Sequence, residues 1–130
     1  MKPVLDLNET VRSRVQRLEQ ECERICGKIL NEYHHKFSQL GVTLNVELVR
    51  IRKQYEVNQE QMFSKDYHSF IEIGLVKNNE YITNTVLPVW KCKEEWFNLI
   101  GYMTESSGET LEQNIKAVIQ EMLYDLKEYN

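Results

Sequence analysis

The side chains best suited to chemistry in this 130-residue chain are few: three cysteines, three histidines and some clustered charges. Cys22 and Cys26 stand one helical turn apart, with His34 and His35 two turns further on. Two side chains at i and i+4 on one helix can hold zinc. C-x3-C without a second pair is a weak ligand signal, however, and Cys22 falls on an apolar stripe where a buried thiol is ordinary core. His68 and Cys92 could complete a metal set, or supply a base and a nucleophile, only if the fold brought them together. No G-x-S-x-G or H-E-x-x-H signature accompanies them. Glu94 with Glu95, or Glu72 with Glu80, read as solvated acids before they read as a catalytic pair. Ser106-Ser107-Gly108 precedes a helix and would suit a phosphate, but Glu105 and Glu109 flank it and repel an anion. The expectation is no catalytic residue, no metal and no cofactor.

A second kind of candidate is a contact surface. Arg50, Arg52 and Lys53 lie beside Tyr55, and spacing by two puts both arginines on one face of a strand. A charged edge that resists aggregation accounts for them as well as a partner does. With Met62 and Phe63 in the polar stretch that follows, Arg50, Arg52, Lys53 and Tyr55 form the expected partner-binding segment. The other candidate is a helical seam. Val11, Val15, Leu18, Cys22, Ile25 and Ile29 step by 4, 3, 4, 3, 4, the 3.5-residue period of a coiled coil. Arg14 and Glu19 then fall at g and e positions able to pair between two parallel copies. Fewer than three heptads support the seam, so packing on the chain's own sheet is the stronger reading of the same stripe.

The elements that must carry these residues follow from periodicity. Apolar positions three or four apart from Leu7 to Leu40 predict one long helix, with Asp6 and Glu9 as a loose capping box, Asn8 and Thr10 as alternative caps, and Gly41 as the left-handed stop. A helix of thirty-odd residues runs about 50 Å, more than the roughly 36 Å diameter of a compact domain this size. Either it breaks at Gly27 or its first half projects. Alternation then predicts strands at about 42–52, 67–76 and 81–90. The apolar parity flips at Leu48 and Val49, through a β-bulge or through a plain strand end at Arg52. Residues 53–66 form a loop or a hairpin arm. Asn78-Asn79 suits a turn, and Pro88 marks a strand end, a bulge or a sheet edge. Lys91–Glu95 reads as a charged turn, and 96–103 as a fourth strand or a turn of helix. Ser106 and Glu109 cap a second helix over about 107–128. The fold class is therefore α+β: a long N-terminal helix, an antiparallel meander of three to four strands and a C-terminal helix, as a two-layer sandwich in a single domain, 1–130.

Composition bounds the function. The net charge of −4 hides an asymmetry: residues 1–60 carry ten Lys/Arg against nine Asp/Glu, and residues 61–130 carry six against eleven. All six arginines lie within the first 52 residues. An acidic second half disfavours general nucleic-acid binding but leaves room for a local Arg patch. The N-terminus lacks an apolar signal region, no window is apolar enough to span a bilayer, and the odd cysteine count suits reduced thiols. A cytoplasmic protein is expected. The preferred reading is a non-catalytic protein-interaction domain with a protein partner, homodimeric if the helical seam is used. Toxin-neutralising immunity proteins and secretion chaperones share its size and acidity, an analogy that no motif carries. The alternatives are a small enzyme or metal-binding protein using His68 and Cys92 or Cys22 and Cys26, and an Arg-patch nucleic-acid binder.

Overall fold

A computed structural model describes residues 1–129. The chain runs β1 (Lys2–Val4), α1 (Glu9–Ser38), β2 (Thr43–Arg52), β3 (Tyr55–Glu56), a single 3-10 turn at Gln59–Gln61, β4 (Tyr67–Lys77), β5 (Glu80–Glu95), β6 (Asn98–Met103) and α2 (Gly108–Tyr129). All strands join one antiparallel sheet in the order β1-β6-β5-β4-β2-β3. The architecture is α+β, and the expected meander is its centre, β2-β4-β5-β6. Six strands replace the three or four expected, because β1 and β3 are flaps of three and two residues at the two margins. Segments that short carry no periodicity; only their pairing to β6 and β2 makes them strands.

Helix α1 begins at the Asn8 cap, whose Oδ1 accepts from the Val11 amide at 3.0 Å. It ends before Gly41, which takes the expected left-handed backbone at φ +80. It is one continuous helix of 30 residues, about 45 Å long, and it does not break at Gly27. Nor does its first half overhang. Val11, Val15, Cys22 and Ile25 are buried in the same core as Ile29, Tyr33 and Phe37, and Leu18 packs at its edge. The length fits because the sheet beneath is also long: β5 alone has 16 residues, roughly 50 Å when extended. The proposed dimer seam is thus covered by the chain's own sheet.

Helix α2 is capped by Ser107, whose Oγ accepts from the Thr110 amide at 3.2 Å, rather than by the Ser106–Glu109 box. It lies parallel to α1, as ordered cross-links show: Lys28 to Glu112 (3.0 Å), Glu32 to Lys116 (3.6 Å) and Tyr33 to Gln120 (3.2 Å). Leu111, Ile115, Ile119, Met122 and Leu123 complete the core.

Strand β2 pairs with β4 residue for residue, so there is no bulge at Leu48, and the plain end at Arg52 is correct. The parity flip has another cause. Leu44, Val46 and Leu48 face α1, and Arg50 keeps that phase because α1 offers it carboxylates. The bulges lie instead on β5, where the register to β4 shifts at two points, one of them beside Pro88. Lys91–Glu95 is strand, not turn. Lys91 and Lys93 straddle the Tyr102 ring on the outer face, 5.4 and 5.3 Å from its centre, while Cys92 points inward. The turn follows Glu95 directly, at Trp96-Phe97.

Candidate interaction surface

Glu19, placed by the heptad reading on an exposed flank, is fully buried at 0% exposure. Its Oε1 accepts from Arg50 Nε at 2.9 Å and from Gln59 Nε2 at 3.0 Å, and its Oε2 accepts from the Tyr67 hydroxyl at 2.8 Å. Arg50 also donates to Glu23. Burial would lower the Arg50 pKa, but the hydrogen bonds and charges of Glu19 and Glu23 outweigh it and raise the value, so the guanidinium stays charged. Burial, reinforced by the Glu19 charge, pushes the Tyr67 hydroxyl upward and keeps it protonated. A carboxylate with three donors at 2.8–3.0 Å is a satisfied structural node.

The node also explains why residues 57–66 do not form a free arm. Gln59 ties the segment to α1. The Met62 carbonyl accepts from Trp90 Nε1 at 2.8 Å and from Cys92 Sγ at 3.2 Å, and the Met62 side chain is fully buried. Phe63 packs on Trp90 with Arg12 over its other side, 4.6 Å from the ring centre. Arg52 Nε donates to the Lys65 carbonyl at 3.0 Å. Of the six residues expected to bind a partner, Arg50 and Met62 are therefore committed inward, and Arg52 and Phe63 are partly so. Lys53 and Tyr55 are free at a hairpin tip, with Tyr55 76% exposed.

The chemistry candidates are dispersed. Cys22, Cys26 and Cys92 are buried free thiols, and burial pushes each up to about 12. At neutral pH they are protonated, the wrong state for a nucleophile or a metal ligand. Cys92 faces the core, whereas His68, paired in register with the adjacent Lys91, faces the opposite side of the sheet. His34 and His35 lie exposed on α1. Among the described residues no three His, Cys, Asp or Glu side chains converge as a metal site. The arginines are largely occupied: besides Arg50, Arg24 pairs with Glu21 and Arg12 lies beside Glu9.

On the helix-free side of the sheet, β2, β4 and β5 enclose a shallow cavity of about 410 Å³ lined by Ile51, His68, Phe70, Val86, Pro88 and Lys91. Desolvation, then the Lys91 charge, holds His68 below its ordinary pKa.

The least expected residues are at the β5–β6 tip. Trp96 and Phe97 are 90% and 96% exposed, and both have left-handed backbone, φ 51 and 66. Three two-residue hairpin turns use that conformation: Lys53-Gln54, Asn78-Asn79 and Trp96-Phe97. Positive φ at both central positions suits Asn and Gly and disfavours bulky side chains. The Asn pair follows the rule, and the Lys53-Gln54 and Trp96-Phe97 pairs break it. Because β2 and β5 are each antiparallel to β4, they run in the same direction, and their distal tips share one end of the sheet. Tyr55, Trp96 and Phe97 thus lie at the same end of the sheet as Lys53, Lys65 and Lys93. No turn signature marks Trp96-Phe97 in sequence. Its only trace is the inward alternation of Trp90 and Cys92 before it and of Gly101 and Met103 after it.

Comparison of the chain with protein-family models, curated proteins and solved structures finds no match in any of the three. No helix among the described residues is long and apolar enough to cross a membrane.

Proposed function

We propose that this chain is a protein-binding domain, and that its contact surface is the end of the sheet bearing Tyr55, Trp96 and Phe97. One observation carries the reading: two large aromatic side chains stand almost wholly in water on a turn whose backbone they strain. Left-handed non-glycine residues cost on the order of 1–3 kcal/mol each. Neither ring packs on the core to offset that cost. Rigid exposed aromatics are the residues that dominate binding when a partner covers them. Lys53, Lys65 and Lys93 at the same end, with Glu94 and Glu95, supply a mixed polar rim. This reading keeps Lys53 and Tyr55 from the sequence expectation and replaces the inward-facing Arg50 and Met62 by Trp96 and Phe97.

The test is site-specific photocrosslinking in the native cell with a benzophenone amino acid at position 97, against the same group at Tyr124, an exposed residue on α2. A discrete adduct from position 97 alone, abolished by Trp96→Ala, is expected. Equal or absent crosslinking at both positions overturns the assignment.

A further inference from the structure

Strand β5 is longer than its neighbour on one side. It pairs with β4 from Glu80 to Lys91, but with β6 only from Trp90 to Glu95. On the β6 side, Glu80–Pro88 therefore has no backbone partner among the described residues; the first group used there is the Val89 carbonyl, which accepts from the Thr104 amide. The open edge is about 30 Å long and rich in strand formers, Tyr-Ile-Thr-Asn-Thr-Val-Leu-Pro. Ile82 and Val86 are 52% and 48% exposed along it, with Tyr81 beside them. Edge strands are guarded by charge, proline or bulges; Tyr81–Trp90 contains no charged residue, and its guards are Pro88 and the two register shifts against β4.

We infer that this edge pairs antiparallel with the same edge of a second copy of the chain, joining two sheets into one. The occupant must be an extended strand, because unpaired amide and carbonyl groups set the demand. Charge selects the second copy. Each chain has a net charge of −4, so copies repel except where a neutral surface meets its like. Glu80 is the one charged residue of the open stretch Glu80–Pro88, and antiparallel self-pairing of that stretch sets it opposite Pro88, so no like charges face each other within the paired segment. The other free edge, Thr43–Val49 of β2, carries Glu47 mid-strand and would bring two like charges together. A 30 Å edge with a depth of sheet plus helix near 20 Å offers on the order of 600 Å² per copy, at the weak end of specific interfaces. Association is therefore reversible and visible by concentration.

This inference uses residues remote from the Trp96-Phe97 tip, so either can fail without the other. Sedimentation equilibrium of the full chain from micromolar to near-millimolar concentration should show the mass rising from 15.6 kDa towards twice that value. The double variant Ile82→Lys/Val86→Lys should weaken association at least tenfold with an unchanged circular dichroism spectrum. A spin label at Asn84→Cys should report an interchain distance under about 20 Å, since paired strands lie about 4.8 Å apart. A monomer throughout, which leaves the edge to an extended segment of a different polypeptide, overturns the proposal. So does a dimer indifferent to both lysines, or a long label distance.

Discussion

Glu19 of α1 and Arg50 of β2 meet at 2.9 Å across the helix–sheet interface, with the Tyr67 hydroxyl on the second carboxylate oxygen. Truncating one member of a buried pair leaves the other uncompensated. Glu19→Ala should cost about 3 kcal/mol in urea unfolding, the low end of the usual range because Arg50 retains Glu23. Glu19→Met combined with Arg50→Met should recover at least half of that loss. A double variant as unstable as the sum of the two single variants would show that the pair is not the coupled unit described.

Trp90 lies on Gly101 across the β5–β6 pair, so closely that a Cβ at 101 would come within 2.1 Å of the indole. Gly101→Ala should therefore displace the ring, weaken its bond to the Met62 carbonyl and loosen the 57–66 segment. A loss of about 1–3 kcal/mol is expected for such overpacking, with a change in near-ultraviolet circular dichroism. Gly27→Ala is the control: it meets nothing within 4 Å and should stabilise by about 0.5–1 kcal/mol as a better helix former.

Replacing the Trp96-Phe97 turn by Asn-Gly should raise stability by about 1–2 kcal/mol, since that pair favours the left-handed backbone both positions adopt. The same variant should lose the partner adduct. Gain in stability with loss of binding is the signature of strain kept for function; thermal unfolding and crosslinking read the two arms.

His68 is held below its ordinary value of 6.5, chiefly by desolvation and then by Lys91. The unfolded chain, whose histidine has the ordinary value, binds that proton more readily than the folded chain. The stability linked to His68 is complete above about pH 7 and falls as pH drops through 6.5 toward the folded value. Urea midpoints measured across that window should decline with acidity, and His68→Gln should flatten the decline. An NMR titration that finds His68 at or above 6.5 would contradict the assignment.

The three thiols offer a further check. With each pushed up to about 12 by burial, alkylation of the native protein at pH 8 should label none of them within the time that labels all three in denaturant. Mass spectrometry counts the adducts.

Much of the framework was legible in the sequence because local periodicity and burial agree there. The stripe from Val11 to Phe37 and the strand around Ile71 repeat at the period of their element, while the stop at Gly41 and the Asn78-Asn79 turn are marked by residue type. The failures share a cause. Glu19 and Arg50 sit in core phase with polar side chains, so each mimicked a surface position or a register slip until its partner was in view. Lys91 and Lys93 mimicked a turn, although a strand with one wet face accepts lysines that lie along a tyrosine.

By itself, then, the sequence determined the two helices, the central strands, the α+β class and which helical face is apolar, since these depend on neighbours within a few residues. Tertiary structure alone decided what that apolar face meets, that Glu19 and Arg50 neutralise each other inside, and that Trp96 and Phe97 stand in water at a strained tip. It also decided that β5 outruns β6 and leaves an uncharged edge bare. Those facts depend on strand lengths and pairings between residues far apart in the chain, for which no local pattern in the sequence stands proxy.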